Sequence, residues 1–270
     1  MLFLLSRAAR KTRLLLLLAS LLAPLALTSC GASNGSSALS AQIPLPPPIP
    51  SAEPVLLFTG TGTTPDDVAA VQSLLSKLSI GYTTADSAKL NAMSGPELGG
   101  YQLLIIPGGN SIQIGENLTS ATASNIRTAV TGYGVHYLGI CAGAFFGGSS
   151  IYNGVNLTGV PFDFYADEFK GIHIEAVQIS FPASDPLDVY WQDGPQLSGW
   201  GQTVAKFPDG TPAITEGTSG KGFVIFTGVH VEAPANWRGS LKFSTPPSVD
   251  LAYAATMIKA ALNGTELPHF

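Results

Sequence analysis

Cysteine, histidine and charged residues are all scarce in this chain. Its 270 residues include two cysteines and four histidines, and Asp, Glu, Lys and Arg together make up 11%. Two cysteines allow at most one disulfide, which excludes a small fold held together mainly by disulfides. Four histidines without close ligand spacing give no pattern for a metal centre, so we expect neither a metal nor another cofactor.

Basic residues are the scarcer of the two charges, and their distribution is uneven. Lys and Arg number 13 against 18 Asp and Glu, and four of the basic residues lie at Arg7, Arg10, Lys11 and Arg13. The remaining chain has 9 basic residues against the same 18 acidic ones, a net charge of −9. A surface of this sign does not attract polyanions, so we expect no nucleic-acid partner.

The four early basic residues precede an apolar run at 14–27, which ends in Leu27-Thr28-Ser29-Cys30. A basic segment followed by a short apolar one is typical of a secretory signal. The run is short and contains Pro24, which makes a permanent transmembrane helix a poorer interpretation. The ending resembles the lipobox of bacterial lipoproteins, whose cysteine becomes the lipidated N-terminus. An ordinary signal peptide cut near this point is the alternative.

The lipobox resemblance implies a signal peptide at 1–29 and an acyl chain such as palmitate on Cys30, with membrane lipid as partner. The protein would then be anchored in the cell envelope, on the periplasmic or extracellular side of a bacterial membrane. Residues 30–52 are rich in Gly and Ser and then in Pro, a composition typical of a tether. The folded part is expected at 53–265, a length suited to one domain.

Short apolar segments alternate with helical patterns up to residue 140. Strands are predicted near 54–58, 81–84, 101–106 and 135–140, and helices at 65–77 and about 121–133. The first helix has Thr64 as N-cap and Pro65 at its first position. The strands are apolar on both faces, so the alternation predicts an α/β fold whose mostly parallel sheet is covered by helices on both sides.

The texture of the sequence changes after residue 150. Residues 150–215 are rich in Gly, Pro, Asp and aromatic residues, with strand-like pieces at 172–181, 187–191 and 201–207. We expect a β-rich, mostly antiparallel part attached to the parallel sheet. One more apolar strand at 223–227 and a closing amphipathic helix at 249–262 complete the domain.

The strand 135–140 runs into Gly139-Ile140-Cys141-Ala142-Gly143 and then into small residues that can open a helix. Glycines two positions before and after the cysteine allow a tight turn. Cys141 would lie at the carboxyl end of a strand, beside a helix N-terminus whose partial positive charge favours thiolate. The segment therefore predicts a nucleophile elbow; a buried structural cysteine is the alternative.

A second chemical feature, Gly228-Val229-His230-Val231-Glu232, follows the strand 223–227 directly. His230 has the position of a base that takes the thiol proton, and Glu232 that of an acid that holds the other ring nitrogen. Because the carboxyl ends of parallel strands share one edge of a sheet, Cys141 and His230 are expected to meet there. A loop histidine without a special role is the alternative.

Two backbone amides are candidates for an oxyanion site. Pro107-Gly108-Gly109 comes right after the buried strand 101–106, and Ala142 follows the proposed nucleophile. The amides of Gly109 and Ala142 could together bind the oxyanion that forms in acyl transfer. The glycine pair would also serve a tight strand-to-helix turn, and both interpretations can hold together.

The order Pro-Gly-Gly, Gly-Ile-Cys-Ala-Gly-Ala and Gly-x-His-x-Glu resembles the class I glutamine amidotransferase-like superfamily. The chain is more closely similar to the domain at the N-terminus of some biotin-protein ligases, through the opening 55–64, the elbow 137–145 and the segment 190–195. The resemblance covers about residues 54–263 and implies a flavodoxin-like three-layer sandwich. It also implies site roles: Cys141 as nucleophile, His230 as base, Glu232 as orienting acid, and Gly109 with Ala142 at the oxyanion hole.

Two positions depart from the family pattern. Phe145 stands where glutamine-hydrolysing members usually carry Gln, which puts glutamine as substrate in doubt. Val231 replaces the usual Pro of His-Pro-Glu, which removes a rigid backbone angle but no reacting group. The sequence thus predicts hydrolysis or transfer of an acyl or amide group through a thioester, on an unknown small-molecule or peptide substrate. A catalytically inactive module that binds a small ligand on the same fold is the alternative, and oligomeric state has no signal.

The remaining conspicuous residues have plainer interpretations. His136 lies within the elbow strand and is expected to pack or to make a structural hydrogen bond. His173 alternates with apolar residues, as on the polar face of a strand. Four aromatic residues are expected in the core more readily than in a substrate cleft: Tyr190, Trp191, Trp200 and Phe207.

Overall fold

The computed structural model describes residues 44–239 and 241–270. The predicted signal peptide at 1–29, the predicted lipidation site Cys30 and the first part of the tether, 31–43, lie outside the described residues. Among the helices of the described part, none is both long and apolar enough to cross a bilayer.

The described chain contains eleven strands, which fall into one large sheet and two small ones. Their bounds are β1 Val55–Phe58, β2 Tyr82–Ala85, β3 Leu103–Ile106, β4 His136–Ile140, β5 Asp163–Phe164, β6 Ile174–Ile179, β7 Leu187–Gln192, β8 Pro195–Gln196, β9 Gln202–Lys206, β10 Pro212–Ser219 and β11 Gly222–Thr227. The large sheet has the order β2-β1-β3-β4-β11-β10-β9. The five strands from β2 to β11 in this order are parallel to one another. Strand β10 is antiparallel to both of its neighbours, β11 and β9.

Helices cover both faces of the large sheet. Their bounds are α1 Pro65–Lys77, α2 Ser87–Ala92, α3 Gly95–Leu98, α4 Ser111–Glu116, α5 Ser120–Thr128, α6 Ala142–Gly147 and α7 Pro247–Asn263. Apolar residues of α1 and α7 pack on one face of the sheet, and α4, α5 and α6 contribute to the core on the other. Alternate residues of each central strand supply the two cores, as the two-residue period of a strand requires. The predicted three-layer α/β sandwich is confirmed.

The first helix illustrates how the sequence sets an element. Pro65 occupies the first turn, where its missing N–H and fixed φ angle are favourable. Asp66 and Asp67 lie in the same turn and Lys77 in the last one, so the charges at both ends complement the helix dipole. Val71, Leu74 and Leu75 recur on one side and are buried. The helix begins and ends where the spacing predicts.

The chain after the elbow is β-rich and antiparallel, as expected. Strands β6 and β7 form one two-stranded sheet, and β5 pairs with β8 in another. Strand β10, however, was not predicted by the sequence pattern. It contains Pro212, Gly217 and the charged Glu216, which disfavour a buried strand. Tertiary contacts override this preference, because the buried Glu216 carboxylate accepts a hydrogen bond from the Leu267 amide at 2.9 Å.

Two short helices and one helix end also differ from expectation. Helix α3 is nucleated by a capping box between Ser94 and Glu97, and α4 by the side chain of Asn110, so local capping creates elements too short to show periodicity. The predicted helix at 121–133 is an α-helix to Thr128 and continues as one π-helical turn that ends at Gly134, whose φ is 89°.

The described part of the predicted tether, 44–52, has no helix and no strand. It lies against the domain: the Ile49 amide donates to the Pro96 carbonyl at 2.9 Å, and the Tyr133 hydroxyl donates to the Pro46 carbonyl at 2.8 Å. Residues 44–52 are therefore part of the domain surface, and a tether that holds the domain away from a membrane would have to end before residue 44.

Candidate active site

Cys141 lies on a sharp turn between β4 and α6. Its backbone angles are φ 47° and ψ −101°, a combination that a residue with a side chain rarely adopts. Strain of this kind costs on the order of 1–3 kcal/mol and persists only where the surrounding structure fixes it. The predicted elbow geometry is thus present in the backbone at the predicted residue.

The flanking glycines make this turn possible. A side chain at Gly143 would place its Cβ 1.9 Å from the carbonyl oxygen of Ile106, and one at Gly139 would place it 2.5 Å from the carbonyl oxygen of Gly143. Contacts below 3 Å are not tolerated, so helix α6 can approach the sheet this closely only because both positions lack a Cβ.

Hydrogen bonds and strand pairing bring the two predicted motifs together. The Cys141 amide donates to the Thr227 carbonyl at 2.8 Å, and Thr227 is the last residue of β11. Strand β11 lies parallel to β4, with Thr227 beside Ile140. The loop that carries His230 therefore leaves the sheet directly beside the elbow.

His230 and Glu232 form the expected pair. The His230 Nδ1 nitrogen lies 2.7 Å from Glu232 Oε1, and both side chains are buried. Cys141 and His230 line the same cavity, and the interaction with Cys141 helps to raise the pKa of His230. The Cys141 sulfur also lies 3.6 Å from the carbonyl oxygen of Gln192, at the end of β7.

Electrostatics at His230 favour the imidazolium. Burial alone would lower the pKa of His230, but the charge of Glu232 and the interaction with Cys141 outweigh it and raise this pKa well above its ordinary 6.5. The site therefore stabilises the protonated base that forms when a thiol proton is transferred to the ring.

Asp67 is a member of the site that sequence reasoning missed. Its carboxyl is buried in the first turn of α1, Oδ2 lies 3.6 Å from His230 Nδ1, and the same oxygen accepts a hydrogen bond from the Gly108 amide at 2.5 Å. Burial and the charge of Glu232 raise the pKa of Asp67 well above its ordinary 3.8. An acidic residue at a helix start is common, so its position alone gave no signal.

The loop Pro107-Gly108-Gly109 is braced from the far side by the loop after β1. The backbone amide of Asn110 donates to the Gly62 carbonyl at 2.7 Å, and that of Thr64 donates to the Gly108 carbonyl at 3.0 Å. Gly109 has φ 142° and no room for a Cβ. Within the described chain, neither the Gly109 nor the Ala142 amide donates a hydrogen bond to another group, so both remain free to bind an oxyanion.

A cavity of about 530 Å³ opens over Cys141 and His230. Tyr190 and Trp237 contribute aromatic rings, 5.9 and 5.6 Å from the imidazole between centroids. Besides the histidine, the side chains of the wall that can carry charge at neutral pH are carboxyl groups, and the described lining includes no Lys or Arg. These acidic residues are Asp66, Asp67 and Asp193.

Phe145 borders a second, smaller cavity of about 230 Å³ that also reaches Cys141. Its ring packs against Phe164 with a centroid distance of 5.0 Å. A glutamine at this position would offer an amide to a ligand, whereas the phenyl ring offers only apolar surface.

The other conspicuous residues have mixed outcomes. His136 makes a structural hydrogen bond, since its Nδ1 accepts from the Phe223 amide at 3.0 Å. Trp191 and Phe207 are in the core, as expected, and Tyr190 is buried too but also lines the cavity.

Two groups of side chains in the described chain have the composition of cation ligands. In each, one ligand atom per residue lies within 4.8 Å of the others; the groups are Asp67, His230, Glu232 and Glu168, His173, Asp193. In the first group the imidazole nitrogen is already bonded to Glu232. In the second, His173 Nδ1 lies 2.9 Å from both carboxylates, which raise the pKa of His173, so protonation suffices to explain the cluster.

A sequence-family match covers the first part of the domain. Residues 53–160 match the family described as biotin-protein ligase, N terminal. The matched segment contains Gly109, Cys141 and Ala142 and ends before His230 and Glu232. No curated protein matches the sequence.

Solved structures show similarity in fold at low identity. PurLQS from Thermotoga maritima has a chain that is 14% identical with a TM-score of 0.52, over 77% of this chain and 99% of that one. A putative GMP synthase protein from Thermoplasma acidophilum is 12% identical with a TM-score of 0.49, over 79% and 98%. A β-galactosidase from Halorubrum lacusprofundi is 14% identical with a TM-score of 0.47, over 78% of this chain and 30% of that one. Residues 53–160 thus match the biotin-protein ligase N-terminal family, and the described chain shares a flavodoxin-like α/β fold with the PurLQS chain.

Proposed function

We propose that this protein is a membrane-anchored envelope lipoprotein that hydrolyses or transfers the acyl group of an amide or related bond through a Cys141 thioester. One observation carries the proposal. Cys141, on a strained elbow, lines the same cavity as His230, whose Nδ1 nitrogen lies 2.7 Å from the buried carboxylate of Glu232. This is the arrangement that activates a thiol and holds its base in one tautomer.

The first half of the reaction forms the thioester. His230 takes the thiol proton, and the Cys141 sulfur attacks the carbonyl carbon of the substrate. The amides of Gly109 and Ala142 bind the oxyanion that develops. His230 then gives the proton to the leaving amine, the C–N bond breaks, and the acyl group remains on sulfur.

The second half releases the acyl group. Water, or another nucleophile in a transfer reaction, loses a proton to His230 as it attacks the thioester carbon. The C–S bond breaks, and the proton returns from His230 to the sulfur. Glu232 stays ionised throughout and stabilises each imidazolium that forms.

The cavity supports a neutral or cationic substrate. Asp66 and Asp193 lie in its wall, and Tyr190 and Trp237 line it with aromatic rings, a residue type that attracts cations. A substrate carboxylate would meet no Lys or Arg among the described lining residues. Phe145 further disfavours glutamine, since an apolar ring stands where an amide would be recognised.

A second candidate is a binding module with this fold and no turnover. The contact between the Cys141 sulfur and the Gln192 carbonyl oxygen favours it, because that oxygen accepts from a neutral thiol and repels a thiolate. The elbow would then form the floor of a pocket for a small carbonyl ligand.

Acyl trapping distinguishes the two candidates. The full chain is incubated with a panel of activated ester and amide probes, quenched in acid, and the Cys141 peptide is analysed by mass spectrometry. We expect an acyl adduct that forms and decays with substrate turnover, is absent in Cys141→Ala and persists in Cys30→Ala. A wild-type chain that never acquires an adduct from any probe, while binding the same compounds, supports the binding module.

A further inference from the structure

Asp67 has an environment that the triad alone does not explain. It lies on α1, far along the chain from the other site residues, yet its side chain is 1% exposed and contacts both halves of the site. One oxygen, Oδ2, accepts from the Gly108 amide and lies 3.6 Å from His230 Nδ1. The carboxyl thus joins the loop of the oxyanion amides to the imidazole.

The second oxygens of the two carboxyl groups raise a hydrogen-bonding question. Asp67 Oδ1 and Glu232 Oε2 are both buried, and no donor among the described residues reaches either of them. Two ionised carboxylates would leave both atoms buried and unsatisfied, which is costly for each group. A single proton bound by the pair supplies the missing donor.

The balance of charge leads to the same proton. Two negative charges this close cannot both be ionised without a large penalty, even beside one imidazolium. Burial and the charge of Glu232 raise the pKa of Asp67, and one oxygen of each carboxyl group lies within 4.8 Å of the other. Asp67 therefore holds the proton while Glu232 holds the charge.

We propose that Asp67 is a positioning residue that shares one negative charge with Glu232 against His230 while its Oδ2 fixes the Gly108 amide. This role rests on the proposed function of the Cys141 site. If Glu232 is made neutral, the like charge that keeps Asp67 protonated is removed. Asp67 then ionises beside His230 and replaces Glu232 as the orienting anion.

The titratable groups around this pair come from four elements. Cys141 faces the imidazole from the elbow, and Tyr190 faces it from β7. Glu232 lies on the same loop as His230, whereas Asp66 on α1 is exposed. Among the described residues, Asp67 is the one carboxylate besides Glu232 that pairs with His230 Nδ1, at 3.6 Å, so it alone can replace Glu232 there.

The test is a double-mutant cycle read by the rate at which iodoacetamide alkylates Cys141 at pH 5.5–9. The full-length wild type is compared with Glu232→Gln, Asp67→Asn and the double variant, and with Asp185→Asn as an exposed control. Each single variant should alkylate at pH 6 within about tenfold of wild type, and the double variant should fall at least about tenfold below the product of the single effects. The thiolate limb of the double variant's profile should move to higher pH.

A double variant that is folded and no slower than the product of the singles overturns the proposal. If the double variant does not fold, by near-ultraviolet circular dichroism, the Glu232→Gln variant decides. It must remain at least about tenfold faster at pH 6 than His230→Ala, since coupled site residues carry effects of this size; equal rates overturn the proposal. A wild type that is itself as slow as a free thiol contradicts the proposed function instead, so the two failures are distinct.

Discussion

Gly108 faces the imidazole of His230 so closely that a Cβ on the glycine would lie 2.5 Å from the ring carbon Cε1. The loop that follows β3 and the loop that follows β11 therefore meet at Gly108, where the absence of a side chain allows the close approach. Pairing of β3, β4 and β11 in one parallel sheet brings both loops to the same edge.

Gly108→Ala should damage the site more than the fold. The new methyl group would also lie 2.2 Å from Asp67 Oδ2, so the carboxyl and the imidazole must both move. We expect alkylation of Cys141 at pH 6 to slow by at least about tenfold, because misplacement of a base by about 1 Å has effects of this size. Unfolding free energy should fall by about 1–3 kcal/mol.

Gly95→Ala is the matched control for that substitution. A Cβ there would lie 3.9 Å from its nearest neighbours, so the change introduces no close contact. If Gly108→Ala and Gly95→Ala alkylate at equal rates, the space beside Gly108 is not needed to hold Asp67 and His230 in place.

The acidic cavity predicts charge selectivity at Cys141. Trimethylammonioethyl and sulfonatoethyl methanethiosulfonate differ mainly in charge, and the ratio of their rates at Cys141 is compared with the ratio for a free thiol. We expect preference for the cationic reagent to exceed that of the free thiol by about tenfold at low salt, falling as salt is added. Asp66→Asn should reduce the preference and Asp185→Asn should not; a faster anionic reagent would contradict the assignment of substrate charge.

Glu175 predicts a pH-dependent change in stability. Its burial in β6 and its contact with Asp167 raise the pKa of Glu175 from 4.5 to about 7. The folded state favours the neutral form, so this stabilisation is fully present below pH 4.5 and is lost as the pH rises through about 7. Glu175→Gln should therefore raise the melting temperature at pH 8 but not at pH 4. A difference that is the same at both pH values, or one that the exposed Glu116→Gln also shows, would contradict this.

Lipidation at Cys30 remains a prediction from the sequence. In a bacterial host that processes lipoproteins, the full chain should enter the membrane fraction and incorporate labelled palmitate, whereas Cys30→Ala should do neither. Cys141→Ala is the matched control and should behave as wild type. Labelling that is lost in Cys141→Ala but kept in Cys30→Ala would place the acyl group on Cys141 and contradict lipidation at Cys30.

The sequence predicted the sheet, the elbow and the pair His230 and Glu232 because each follows an apolar parallel strand in a local pattern. It did not predict Asp67, since an acidic residue in the first turn of a helix is explained by the helix dipole alone. Tyr190 and Trp237 were missed as cavity residues because an aromatic residue has the same sequence signal in a core and in a pocket wall. Strand β10 was missed because its glutamate is satisfied by a distant part of the chain.

The most direct test of the activated site is the rate at which iodoacetamide alkylates Cys141 at pH 6, in the full-length wild type and in His230→Ala. An ordinary thiol, with a pKa of about 8.5, is almost entirely protonated at pH 6 and reacts slowly. The proposed site predicts fast alkylation in the wild type and a loss of at least about tenfold in the variant, since the base and its acid partner activate the sulfur. Slow alkylation that is unchanged by His230→Ala would contradict a catalytic Cys141.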